Sequence, residues 1–172
     1  MSRVNLAVLF LLFVSAVSIA SGQTVTVSKS ARVSLPEQFR ENLPKRLELY
    51  LRAFNKGDMD QLFDLMSERA RRGMSRDEFV RTSKTDAGAE RILKFQIQSV
   101  RQADKSEYID ESEPGPGEGV KWFISGCARV SVAGSSARKF EQGFDVWLVG
   151  GEWFVRRGGL RIDGGYRECN FK

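Results

Sequence analysis

Helix signals fill the chain from Leu47 to Val80 and strand signals fill it from Arg91 onward. A chain ordered this way has to lay its helices on a sheet built from its C-terminal half. Leu47, Tyr50, Leu51 and Phe54 fall at i, i+3, i+4 and i+7, a single apolar stripe on one helix. The spacing predicts that helix from about Pro44 to Asn55, with Lys56-Gly57 closing it and Gly57 free to take a left-handed cap. Asp58, with Gln61 three residues on, caps a second, short helix whose buried face is Leu62, Phe63, Leu65 and Met66. Ser75-Arg76-Asp77-Glu78 opens a third helix, continued by Phe79 and Val80. Upstream, Ser34-Leu35-Pro36-Glu37 fits a capping box, and Pro44 then predicts a short leading helix or a kink.

The strand half alternates. Leu93, Phe95, Ile97 and Ser99 interleave with Lys94, Gln96 and Gln98. Trp122, Ile124, Gly126, Ala128, Val130 and Val132 share one face, and Phe123, Ser125, Cys127, Arg129 and Ser131 the other. Phe140, Gln142, Phe144, Val146 and Leu148 continue the inner face, with Glu141, Asp145 and Trp147 pointing outward. Gly150-Gly151 predicts a two-residue hairpin turn between Asp145-Val146-Trp147-Leu148-Val149 and Glu152-Trp153-Phe154-Val155. Gly126 and Gly143 lie mid-strand, where bulges and bends curve a sheet. Residues 104 to 119, acidic and ending in Glu113-Pro114-Gly115-Pro116-Gly117, read as a solvent-facing linker between strands, and their spacing does not fit a calcium loop.

This order, Leu47 to Val80 helical and then a long aromatic-rich sheet ending in the hairpin Asp145 to Val155, resembles the nuclear transport factor 2-like superfamily. The resemblance runs from Leu43 to about Asp163 and rests on element order. It implies an α+β fold in which N-terminal helices pack on a curved antiparallel β-sheet, forming a cone with a cavity. The superfamily includes ketosteroid isomerases, SnoaL-like cyclases and many non-catalytic binding domains, so the resemblance bears on fold more than on function. The inner-face reading makes Tyr50, Phe54, Trp122, Gln142 and Phe144 the candidate pocket residues. Leu47, Leu51, Phe54, Leu62, Phe63, Phe95, Phe144 and Val146 are the expected core.

Residues 1–22 read as a signal peptide. Arg3 supplies the positive start, Leu6 to Ala20 the apolar run, and Ala20-Ser21-Gly22 the small residues of a cleavage site. The apolar run is shorter than the roughly 20 residues a membrane span needs; the alternative is an uncleaved anchor. Residues 23–33 read as a polar, β-leaning flexible arm or edge strand, and residues 34–172 as a single domain. A secreted or periplasmic protein is expected. The chain carries two cysteines, Cys127 and Cys169, an even count in a disulfide-permissive compartment. A disulfide between them would pin the glycine-rich tail to the outer face of the sheet; the alternative is two unpaired thiols.

Absence decides most of the chemistry. The chain has no histidine, which excludes Ser-His-Asp and Cys-His triads and removes the commonest zinc ligand. No glycine loop has phosphate-cradling spacing, so neither metal nor cofactor is expected. Carboxylates remain. Superfamily isomerases and cyclases use a carboxylate inside the cone, yet here Glu141 and Asp145 alternate to the outside. The favoured expectation is therefore a non-enzymatic domain binding a ligand or protein partner. The alternative is an isomerase- or cyclase-like enzyme acting on a hydrophobic small molecule.

The formal charge is +5, too modest to argue for nucleic acid, and no nucleic-acid motif is present. Arg69, Arg71, Arg72, Arg76, Arg81 and Lys84 form one basic group, and Arg156, Arg157, Arg161 and Arg167 another. They read as a solvated face, with docking to an anionic envelope surface as the alternative. Phe123 and Trp147, both outward by alternation, would form an apolar patch of the kind that marks interfaces, and a homodimer through the outer sheet is one expectation.

Overall fold

The computed structural model describes residues 24–28, 37, 40–83, 90–108, 113–132, 136–158 and 167–171. Residues 1–22, expected to be a signal peptide, and Ser34 to Pro36, Lys84 and Gly159 to Tyr166 lie outside the described residues.

Among the described residues, four α-helices precede the main sheet: α1 (Asn42–Lys56), α2 (Met59–Asp64), α3 (Glu68–Arg72) and α4 (Arg76–Ser83). Helix α1 begins two residues earlier than the Pro44 reading, because Pro44 falls within its first turn, where its missing N–H has no helical acceptor to lose. Gly57 ends it at φ 67°, its N–H donating back to the carbonyls of Ala53 and Phe54. Asp58 caps α2 through the Gln61 N–H at 3.0 Å, and Ser75 receives the Glu78 N–H at 3.2 Å. Helix α3 has no counterpart in the sequence reading. Ser67 caps it through the Ala70 N–H at 3.2 Å, but it carries no apolar period to announce it.

Among the described residues, the sheet has five strands in the order β1-β2-β3-β4-β5: β1 (Thr24–Val27), β2 (Glu90–Gln102), β3 (Val120–Val132), β4 (Arg138–Val149) and β5 (Glu152–Gly158). Strands β2 to β5 form an antiparallel meander. The expected wholly antiparallel sheet needs one correction, since β1 pairs parallel to β2, Thr24 opposite Lys94 through Val27 opposite Ile97. The helical layer lies between these strands in sequence, and a long crossover of this kind returns the chain in the same direction. Thr24–Val27, expected as arm or edge strand, is thus the edge strand.

One face of the sheet packs under α1. Leu43, Leu47 and Leu51 meet Ile92, Phe95, Ile97, Ile124, Phe144, Val146 and Val155 in the main core. A smaller cluster of Ala53, Met59, Leu62 and Leu65 binds the short helices to α1, with Phe54 and Phe79 packed against it. Tyr50 touches both clusters. Phe54, expected among the principal core residues, is only half-buried. Asn55 adds a clasp that the apolar stripe does not foretell. Its amide nitrogen donates to the Ile92 carbonyl at 2.7 Å and its oxygen accepts the Ile92 N–H at 2.8 Å. This spans the register shift between Ile92 and Lys94, where the ladder itself is interrupted.

Candidate functional site

On the opposite face, β3 and β4 bring Lys121, Phe123, Asp145 and Trp147 together by the period-2 alternation expected of them. The surface they form is not bare. The segment just before β3, read from sequence as a solvent-facing linker, folds back and places Glu113 and Pro114 against it, both buried. The reason is charge. The Lys121 side chain is only 5% exposed, and its Nζ donates to Glu113 Oε2 at 3.0 Å. It also donates to the Glu107 carbonyl at 3.2 Å and lies 3.6 Å from an Asp145 carboxylate oxygen. Arg156 on β5 donates from Nη1 to the other Glu113 oxygen at 2.7 Å. An ammonium this buried needs anionic partners and carbonyls at hand, and it has them. Burial pushes the Asp145 carboxyl above its ordinary value, against the opposing pull of the Lys121 ammonium.

The Glu113–Pro114 segment also closes one side of a pocket of about 450 Å³. Helix α1 contributes Tyr50, and α2 with the turn after it contributes Leu62, Met66 and Ser67. Ala70, Gly73 and Met74 come from α3 and its end, and Phe79 from α4. Trp147, Phe154, Val155 and Arg156 complete the wall from β4 and β5. The Val155 N–H donates to the Leu65 carbonyl at 3.4 Å, which holds β5 against the end of α2. Arg69 on α3 reaches Glu118 at 2.7 Å, tying the helices to the segment before β3. The wall is mostly apolar, with aromatic, aliphatic and thioether side chains, and its charged groups, Glu113 and Arg156, are set against each other.

Of the five pocket residues expected from sequence, Tyr50 lines this space. Trp122 and Phe144 sit in the main core, where the Tyr50 and Phe95 rings meet Phe144 edge-on at centroid distances of 6.0 and 5.0 Å. Gln142 is buried and donates to the Gly143 carbonyl at 2.8 Å, and Phe54 packs against the smaller cluster. The expected outward patch of Phe123 and Trp147 is also corrected. Trp147 is 3% exposed and forms pocket wall, because the Glu113–Pro114 segment shares that wall with it. Phe123 is half-buried, with the Arg101 guanidinium 4.5 Å from its ring centre. Lys121 escapes the sequence reading, which has Glu113 as solvent-facing linker and Arg156 as part of a solvated basic face. The available signal is a lysine set between Val120 and Trp122 at the start of a strand, two positions away in register from an aspartate.

The basic residues of the short helices are largely engaged. Arg72 pairs with Glu68, Arg76 with Asp60 and Asp64, and Arg76 also covers the Phe63 ring at 4.9 Å. Arg167 lies 3.8 Å from Glu141.

Cys127 and Cys169 are joined in a disulfide, their Cα atoms 5.7 Å apart. It holds residues 167–171 to the sheet. Glu168 bridges Phe140 at the edge of β4, where the Glu141 N–H donates to the Arg167 carbonyl at 2.8 Å, and Gln98 on β2 donates to the Asn170 carbonyl at 2.8 Å. Among the described residues, no cluster of three or more metal-ligating side chains is present, and no helix is long and apolar enough to cross a membrane. No family model, curated protein or solved structure matches this chain.

Proposed function

We propose that this chain is an exported, non-enzymatic binding domain of nuclear transport factor 2-like type, and that it takes a small, mainly apolar molecule in the pocket between α2–α4 and the β4–β5 hairpin. The observation that carries the reading is the pocket itself. Its volume of about 450 Å³ lies within the roughly 300–1,000 Å³ of small-molecule sites, and its mainly apolar wall includes one charged pair, Glu113 with Arg156. Met66 and Met74 suit it to occupants of irregular shape, because an unbranched thioether repacks easily. The disulfide supports export to an oxidising compartment.

Binding is favoured over catalysis by where the carboxylates are. Both Glu113 oxygens are held by cations, Oε1 by Arg156 and Oε2 by Lys121, which gives this carboxylate a structural tie between strands β3 and β5. Asp145, whose burial raises its pKa, stands beside Lys121 and is not among the residues lining the pocket.

Gly73 supplies the test. A Cβ built there meets nothing within 4 Å, and its φ of −89° suits any residue, so Gly73→Trp should fill the pocket rim without straining the fold. Equilibrium dialysis against naphthalene should show saturable binding to the wild-type protein. The variant should bind at least about tenfold more weakly, the loss expected of about 1.4 kcal/mol, at an unchanged unfolding midpoint. Saturable binding unaffected by Gly73→Trp would place the site elsewhere, and no saturable binding at all would end the proposal.

A further inference from the structure

We infer that the sheet face bearing Lys121 docks, at its other end, on an anionic lipid surface, through Arg91, Lys94, Arg129 and Lys139 with Leu93 as an apolar anchor. The inference is independent of the pocket and concerns a different part of the molecule.

The strand register sets three cations in one line. Lys94 on β2 stands opposite Arg129 on β3, and Arg129 stands opposite Lys139 on β4. One step along, Phe95, Ala128 and Phe140 form the matching line in or against the main core. By alternation the cations therefore lie on the face away from that core. With strands about 4.8 Å apart, the line spans about 10 Å. Arg91, opposite Ser131 and next to the buried Ile92, adds a fourth cation on the same face by the same alternation.

Among the described residues, none of the four has a carboxylate within salt-bridge distance. The basic residues of the short helices differ, since Arg69, Arg72 and Arg76 all have acidic partners. The acids flanking the line do not answer it either. Glu141 lies 3.8 Å from Arg167, and Glu168 joins Phe140 by a backbone bridge. The Phe171 ring is 4.4 Å from the Lys94 ammonium and 5.7 Å from that of Lys139, and a ring face attracts cations without cancelling their charge. Like charges set directly opposite one another destabilise a sheet, and a facing anion would relieve them.

Leu93 selects a lipid surface over a soluble polyanion. The register shift between Ile92 and Lys94 leaves Leu93 and Lys94 together opposite Arg129, as in a bulge. Leu93 is a large apolar side chain, 37% exposed, set beside the cations. Cations that draw a protein to anionic headgroups, and an apolar side chain that enters among them, are the two parts of interfacial binding.

Cosedimentation of the intact wild-type protein with lipid vesicles tests this, at about 0.1 M salt, where charges are screened over about 10 Å. Vesicles of phosphatidylcholine with roughly 30% phosphatidylserine should bind it at least about tenfold more tightly than phosphatidylcholine alone. That difference should vanish by about 1 M salt. Arg129→Gln combined with Lys139→Gln should weaken binding about 25-fold, or about fivefold per cation. The unfolding midpoint of this double variant should not fall, because the change removes repulsion. Leu93→Ser should weaken vesicle binding about fivefold and leave retention on heparin unchanged. Equal binding to both vesicles, or a double variant that binds as the wild type does, overturns the inference. Retention on heparin without vesicle binding also overturns it, and would make the partner a soluble polyanion. The comparison of the two vesicles uses the wild type alone, so it decides the matter even where a variant does not fold.

Discussion

Glu107 shows how much a single side chain here depends on its neighbours. Arg101 donates to it from both guanidinium nitrogens, Nη1 at 2.7 Å and Nη2 at 2.9 Å, and the Asp104 N–H adds a third bond at 2.8 Å. Arg101 first, and the Asp104 N–H second, hold the Glu107 carboxyl down at about 2, against an ordinary 4.5. A carboxyl lowered on folding stabilises the fold above its ordinary pKa and loses that contribution as the pH falls through about 2. Asp145 works the other way: raised on folding by burial, it favours the folded state at low pH and loses that contribution as the pH rises through its folded value. We expect carbon-detected NMR titration to place the Glu107 midpoint near 2 and Arg101→Ala to return it toward 4.5. A midpoint already near 4.5 in the wild type would contradict the paired geometry. None of this is legible in sequence, where residues 104 to 119 look like polar linker. The partners that bury Glu113 stand 8 and 43 positions away, beyond any local pattern.

At the level of elements, periodicity is informative wherever one face meets the core. The stripe through Leu47 and Leu51, the alternation in β3 and β4, and the two-glycine turn at positive φ (58° and 87°) all stand as the sequence reading has them. Periodicity is silent where side-chain polarity does the work, as in α3, in the Asn55 clasp and in the parallel pairing of β1. Gly126 lies between these cases. Its place mid-strand marks it as a bend residue; the structure gives it a tighter reason. A Cβ there would lie 2.1 Å from the Gln96 carbonyl oxygen and 2.9 Å from the Phe95 ring, beside the register shift between Ile97 and Ser99. Gly126→Ala must therefore push β2 away from β3. We expect a loss of about 1–3 kcal/mol in urea titration, the range for overpacking a tight interior site. A neutral result would mean that the two strands can separate without cost, contrary to the packing of Phe95 and Ile124.

Over the whole molecule, two distant segments close onto the antiparallel meander. Strand β1 meets β2 in parallel, and residues 167–171 start at the edge of β4, where Glu168 bridges Phe140, and are held by the Cys127–Cys169 bond. That bond encloses a separation of 42 residues, for which the chain-entropy model gives roughly 4 kcal/mol. Replacing both cysteines by alanine should lower stability by up to that amount and expose the Glu141 N–H, now bonded to the Arg167 carbonyl, to hydrogen exchange. A loss below about 1 kcal/mol with that amide still protected would show that the tail docks without its bond.

Gln98 gives this arrangement an order in time. Its carbonyl receives the Ser28 hydroxyl at 3.5 Å across 70 positions, and its amide reaches Asn170 across 72. Strands β2 to β5, by contrast, succeed one another along the chain. Chain closure over long separations is the slow part of a search, so we expect β1, whose partners on β2 lie 70 positions away, to arrive at a β2 already paired with β3. The thiols stand 42 positions apart, the same span as Glu90 and Val132 across the β2–β3 pair, so closing their bond asks for no longer a loop than the meander itself closes.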